Sequence, residues 1–405
     1  LSGTVFFEIG DQVWGDSDNG GALGADGRVV ELKRAYIDWM VPQTDLKVRM
    51  GIQGIALPSF TTNASQIMDD DVAAISLNYQ FNENVGLTAF WARPYNDNNG
   101  YDGNANYMDN MDMFAVLLPL SFDGVKVTPW AMYGAIGRDS FDGAGSASGY
   151  GASETILAER MLPIGAPALL GADIDRHGNA WWVGVASELT YFDPFRVALD
   201  AAYGSVDMGT VGKFDVERSG WFASILAEYK MDYFTPGILF WYASGDDSSS
   251  TNGSERMPSI EGSWTASSYG FDDNYGRIAC DMLGLSNDGK MGVYLQAKDI
   301  SFMEDLTHVL RVGFIKGTNN TEMARNGGAY ISSADEGFGR QLYMTTADKA
   351  WEVNFDTQYK IYQDLTLGVE LGYINLDLDE NVWGKDVDNY RENNVRGAVT
   401  LKYAF

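Results

Sequence analysis

Cysteine occurs once in this sequence, at Cys280, and histidine only twice, at His177 and His308. A lone cysteine forms no disulfide within the chain and no cysteine-rich metal site. Catalysis that needs histidine has two residues to draw on. His177 sits in a loop beside Asp175 and Arg176, His308 begins a strand, and neither stands near a nucleophile motif. The inventory therefore argues against an enzyme. Basic residues are few: 28 Lys and Arg face 56 Asp and Glu, a net charge of -28. Such a surface repels nucleic acid and anionic head groups, which argues against a phosphate-binding role. No apolar run reaches eighteen residues, so a transmembrane helix is excluded. The chain begins at Leu1 with no basic or apolar leader. Either a signal peptide has been removed or none existed.

Proline is scarce, at 10, whereas glycine reaches 46 and aromatics make up 13%. That balance favours strands and tight turns over helices, and the apolar content is too high for disorder. Mean hydropathy is only -0.20. A closed barrel alternates lipid-facing and water-facing residues, however, and hides its apolar face from any average. The alternation is plain in several segments. Trp351, Val353, Phe355, Thr357, Tyr359 and Ile361 interleave with Glu352, Asn354, Asp356, Gln358 and Lys360. Leu46, Val48, Met50 and Ile52 interleave with Lys47, Arg49, Gly51 and Gln53. A period of two with charge on one face means a strand with one apolar and one wet side. This pattern predicts sixteen strands, at 2–11, 30–41, 45–56, 72–81, 84–93, 113–122, 125–137, 180–192, 195–206, 219–231, 236–245, 289–302, 306–316, 349–361, 365–376 and 394–405. Short turns alternate with long polar connections at 12–29, 57–71, 94–112, 138–179, 207–218, 246–288, 317–348 and 377–392. The reading is all-β: a sixteen-stranded antiparallel transmembrane β-barrel, residues 1–405 forming one domain, with long loops at one end and short turns at the other. The C-terminal strand is expected to pair with the first. Aromatics gather at the turn end, among them Tyr79, Phe81, Phe122, Tyr191, Phe192, Phe195, Tyr229, Tyr233 and Phe234, as a girdle at head-group depth would.

The terminal stretch Val395-Arg-Gly-Ala-Val-Thr-Leu-Lys-Tyr-Ala-Phe405 alternates and ends in phenylalanine. Here the chain resembles the general porins of Gram-negative outer membranes, most of all the homotrimeric porins of sulfate-reducing bacteria. The resemblance implies an outer-membrane location with the signal peptide already removed. It implies passive diffusion of ions and small hydrophilic solutes. It implies a homotrimer among outer-membrane lipid and lipopolysaccharide, with loop 57–71 as a latch onto the neighbouring pore. It makes Tyr403 and Phe405 an assembly signal. A substrate-specific sugar or anion channel, or a plugged barrel that binds a ligand or an adhesion partner, is the alternative. A sugar channel would want an aromatic slide; Tyr36, Phe90, Trp130, Trp182, Phe222 and Trp241 have lumenal parity but are scattered along the chain.

The chemistry of a pore is its electrostatics at the narrowest point. Arg34, Lys47 and Arg49 share inward parity on neighbouring strands and form a candidate basic wall. General porins set such a wall against acids on an inward loop, which makes Asp97, Asp102, Asp109 and Asp112 of the third loop the opposing candidates. The competing inward loop is 138–179, whose stretch 155–172 is too apolar to stand in water; Ser153–Leu162 reads as a short helix capped by Ser153. Further charges of lumenal parity include Asp38, Arg196, Asp200, Arg311, Glu352, Asp356 and Arg396. The eight long connections hold 37 acidic and 12 basic residues, so about -25 of the net -28 sits on them. A negative vestibule that favours cations is expected. No cofactor is called for, save a structural calcium at Asp69-Asp70-Asp71 or at Asp377 and Asp379, where oxygens are closely spaced.

Overall fold

The computed structural model describes residues 1–8, 14–15, 22–24, 30–95, 110–137, 140–141, 157–158, 160–163, 176–270, 288–326, 343–385 and 393–404. Its frame is a run of antiparallel strands: β1 (Ser2–Glu8), β2 (Glu31–Met40), β3 (Leu46–Ala56), β4 (Asp69–Gln80), β5 (Gly86–Tyr95), β6 (Met111–Leu117), β7 (Leu120–Phe122), β8 (Val125–Ile136) and β9 (Gly178–Leu189). It continues through β10 (Phe195–Val211), β11 (Phe214–Tyr229), β12 (Thr235–Ala243), β13 (Lys290–Met303), β14 (Leu306–Gly317), β15 (Lys349–Tyr362), β16 (Leu365–Asp377) and β17 (Asn393–Tyr403). Short helices α1 (Thr321–Asn326) and α2 (Glu380–Trp383) lie in connections among the described residues. Consecutive strands pair, as in an outer-membrane meander.

The predicted strand 113–122 is two strands, which raises sixteen to seventeen. Pro119 breaks it, because proline offers no N–H to the ladder. The Leu118 N–H turns to the Pro129 carbonyl and the Pro119 carbonyl accepts from Gly86. Both pieces pair with β8, so they occupy one place in the meander. The expected loop 207–218 is mostly hairpin: Thr210 stands opposite Asp215 and Val211 opposite Phe214. Gly212, at φ +61°, makes that turn. The expected closure is not formed. Among the described residues β1 pairs only with β2, and β17 only with β16. The β1 edge has seven residues against eleven in β17, and a bulge between Phe6 and Phe7 interrupts it. It is a short, irregular template for closure.

Side chains sort by parity as expected. Met50, Ile52, Leu77, Val183, Leu295, Val353, Leu371 and Val399 are exposed on one face. Aromatic pairs mark the turn end of that face, with Phe195 against Tyr229 at 4.7 Å and Tyr191 against Phe192 at 5.3 Å. A second row, not anticipated, crosses the loop end of β5, β6, β8 and β9, where Trp91, Phe114, Tyr133 and Trp181 are successive ladder partners. Two rows with an apolar band between them are the lipid-facing signature of a barrel.

The inward face has its own rule. Trp130 stands opposite Gly184, Trp182 opposite Gly204, Trp241 opposite Gly292 and Tyr294 opposite Gly313. In each pair the ring lies so close over the glycine that a Cβ there would overlap it. Absent side chains let large rings lie flat on the wall. Gly313→Val is therefore expected to push the Tyr294 ring off the wall and cost about 1–3 kcal/mol, read as a lowered midpoint of denaturant unfolding in detergent.

Candidate functional site

The lumen is crossed by two segments of the chain. The first is 57–68, which joins β3 to β4. Leu57, Thr61, Ser65, Gln66, Ile67 and Met68 are all buried. Its tip is held by the opposite wall: the Asp200 carboxylate of β10 accepts from Ser59 Oγ at 2.7 Å, Phe60 N at 2.8 Å, Thr61 N at 2.9 Å and Thr61 Oγ1. Arg196 of the same strand donates to the Phe60 carbonyl at 2.7 Å. This loop folds against the inner wall, where the resemblance had implied an outward latch. Its apolar residues explain why, since a segment with Leu57, Phe60, Ile67 and Met68 gains by leaving water.

The second segment is 253–270. It passes along the wall from β9–β11 to β15–β17. Trp182 donates its indole N–H to the Pro258 carbonyl at 2.9 Å. Arg218 of β11, fully buried, donates to Arg256 O, Met257 O and Leu162 O, and pairs with Asp288 at 2.5 Å. Farther on, Ser268 donates to Asp356, Gly270 N donates to Glu352 at 3.2 Å, and Tyr269 bonds Asn394 at 2.5 Å. The two segments meet, because Ile260 N donates to Ile67 O and Trp264 N to Ser65 O. The described part of the predicted inward stretch 155–172 joins them, with Leu157, Ala158, Arg160, Met161 and Leu162 buried. Ser153 lies outside the described residues. Two of the lumenal aromatics that looked scattered in sequence, Phe222 and Trp241, are gathered with Trp264 of the segment and Tyr294 of β13 into one cluster with centroids 5.2–5.8 Å apart. All four are buried where the segment meets the wall rather than laid open as a slide.

Of the candidate basic wall, Lys47 and Arg49 meet at one acid and are neutralised in part, whereas Arg34 has a partner of its own. Lys47 and Arg49 both pair with Asp38, at 3.1 and 2.7 Å, and Arg34 pairs with Asp71 at 2.6 Å. Arg49 also lies 3.9 Å over the Tyr36 ring. On the far wall, ions of alternating sign run across β8 to β13: Lys126, Glu188, Arg196, Glu228 and Lys298. Gly237 of β12 leaves room for Glu228 to meet Lys298 across that strand. Arg311 pairs with Asp356 at 2.6 Å, and Glu352 is wholly buried, accepting from Tyr294 and Asn354. Arg396 is exposed on β17.

Asp112 does not oppose the basic wall. It shares the row of Phe114 and Val116, which are exposed, and pairs with Arg93 at 2.8 Å on that outer face. Asp97, Asp102, Asp109 and Phe405 lie outside the described residues. Tyr403 is exposed at the end of β17. The candidate calcium ligands do not converge. Asp69 accepts from Ser263 at 2.6 Å, Asp71 is held by Arg34, Asp377 pairs with Lys349 at 3.2 Å, and Asp379 caps α2. Period two also turns Asp70 to the face opposite its neighbours. Among the described residues no group of three His, Cys, Asp or Glu is placed to hold a metal. His308 is occupied structurally, bonded to Thr357 at 2.8 Å and stacked on Phe355. In the loops, burial raises the Glu255 carboxyl above the usual range, with Asp246 and Asp247 adding to it. Burial likewise raises the Tyr343 hydroxyl, which donates to Asp246 at 2.8 Å.

Sequence reasoning missed Thr61, Trp264 and Tyr269, and read Asp71 as a calcium ligand rather than as the partner of Arg34. The available signal was the apolar content of 57–68 and of 256–269, both read as polar loop.

No protein-family model and no curated protein sequence matches the chain. Solved structures of similar fold include Pseudomonas aeruginosa OccK2 (OpdF), with 10% identity, a TM-score of 0.50, and coverage of 92% of this chain and 80% of that one. Others are Pseudomonas aeruginosa OccK11 (OpdR), with 11% identity, a TM-score of 0.47 and coverage of 93% and 80%, and Acinetobacter baumannii OccAB3, with 11% identity, a TM-score of 0.47 and coverage of 94% and 78%. The likeness concerns the fold, which is that of the outer-membrane β-barrels. These neighbours are Occ channels, whereas the C-terminal motif had suggested the trimeric general porins of sulfate reducers.

Proposed function

We propose that the protein is a selective outer-membrane channel of a Gram-negative bacterium, passing ions and small hydrophilic solutes through a narrowed lumen. This replaces the wide general porin of the sequence reading. One observation carries it: two segments of the chain, 57–68 and 253–270, cross the lumen and are bonded to the walls on both sides of it. A pore narrowed in this way selects by the groups lining it. Purified chain in planar bilayers should give small ohmic steps. Large steps of a wide-pore kind would restore the general porin. Silence would favour the plugged, ligand-binding barrel.

The channel prefers cations modestly. The walls carry charges that are largely paired, whereas the loops carry the excess of acid. The reach of that excess shrinks from about 30 Å at 0.01 M salt to about 3 Å at 1 M. Reversal potentials under a salt gradient should be cation-directed in dilute salt and fade as salt rises. An anion-directed potential would mean that Arg34, Lys47 and Arg49 outweigh the loops. Assembly as a homotrimer rests on the resemblance alone, as does a latch at loop 57–71. Light scattering of the detergent-solubilised particle reads it directly.

A further inference from the structure

Resting on the channel reading above, we propose that the small cavity between the inner segment and the β14–β16 wall is a transit subsite for an uncharged polyhydroxylated solute, no larger than a single sugar ring. The cavity holds about 200 Å³. That is below the roughly 300 Å³ at which sites for larger ligands begin. Thr265 and Ser268 of the inner segment roof it, and Arg311, Asp356, Gln358 and Glu370 line its wall.

The charges are arranged against a net ion. Arg311 donates to Asp356 at 2.6 Å, and the Ser268 hydroxyl lies 2.7 and 2.8 Å from the two oxygens of the same carboxylate. Glu370 faces Asp356 as its ladder partner on β16. An anionic solute therefore meets two carboxylates. A cationic one meets Arg311 and must compete for an Asp356 that is already bonded, while Glu370 is almost wholly buried. The lining also presents hydroxyl and amide groups, at Thr265 of the roof and at Thr307 and Gln358 of the wall. Such groups both donate and accept. A polyol can answer them hydroxyl by hydroxyl and brings no charge that must leave water.

Glucose, glucuronate and glucosamine serve as probes. Each is titrated calorimetrically into the detergent-solubilised full chain and, separately, added during single-channel recording. Glucose is expected to bind saturably and to interrupt the current, with glucuronate and glucosamine weaker by about an order of magnitude. Gln358→Ala and Thr307→Val should each weaken glucose binding severalfold while far-UV circular dichroism is unchanged. Calorimetry reads the subsite independently of conduction. A chain that is silent in bilayers yet binds glucose loses the channel reading and keeps the subsite. A chain that conducts but binds no glucose saturably, that prefers either charged probe, or whose Gln358→Ala and Thr307→Val variants both bind glucose as the parent does, overturns the subsite.

Discussion

Replacing Asp200 with alanine should raise single-channel conductance by about twofold or more and add current noise. One carboxylate on β10 accepts four hydrogen bonds from Ser59, Phe60 and Thr61, and two of the donors are backbone N–H groups. Hydrogen bonds to a charged group contribute about 1.5–3 kcal/mol each. Alanine removes all four and leaves the Phe60 and Thr61 N–H groups in a partly dry lumen, where they must find water, and the tip keeps only Arg196 on Phe60 O and the Thr61–Ser224 hydroxyl contact. The base of the loop stays anchored, because Ile67 O and Ser65 O still accept from Ile260, Trp264 and their neighbours. The barrel wall does not depend on the tip, so the far-UV spectrum should not change. Asp200→Asn keeps the shape and part of the acceptor capacity, and should fall between. Unchanged conductance in Asp200→Ala would mean that ions do not pass the tip.

The other large effect is expected at Asp288. Arg218 and Asp288 are both fully buried, and Gln66 also reaches Asp288, at 3.2 Å. Removing one member of a buried pair costs about 3–5 kcal/mol, because the remaining charge has lost its compensation. Asp288→Ala should therefore loosen the 253–270 segment, which Arg218 holds by its carbonyls. Limited proteolysis should cut within that segment, and tryptophan emission should shift to the red as Trp182 and Trp264 gain water. Coupling Asp288→Ala with Arg218→Met should recover only part of the loss, since the uncompensated cation is gone but Arg256 O, Met257 O and Leu162 O lose their donor. A single variant as resistant to protease as the parent would show that the segment is held by its apolar contacts alone.

The meander was legible because alternation is a local signal. Each strand carries its own record of inside and outside, and 349–361 or 45–53 declares itself without reference to any other residue. Parity also put Arg34, Lys47, Arg49, Asp200 and Asp356 on the wet face. It could not resolve Leu118–Pro119, where a backbone donor is missing within an otherwise suitable run. Nor did it carry over to Asp112, which belonged to a strand but was read as part of a loop, so its side was never assigned.

By itself the sequence determined the number of places in the meander, which face of each strand meets lipid, the lack of covalent staples and the acidity of the loops. These follow from period, inventory and charge, quantities summed or counted along the chain. Only the tertiary structure decided what occupies the lumen. Loop 57–68 reaches Asp200 across about 140 residues of sequence, and 253–270 finds Asp356 and Glu352 some 80–90 residues away. Contacts of that range leave no periodic trace. They depend on the curvature of the sheet bringing opposite walls within reach of one loop, and on glycines such as Gly292 and Gly313 clearing room for the rings beneath it. The apolar loop residues signal that burial will occur, whereas the surface that receives them exists only once the strands have come together.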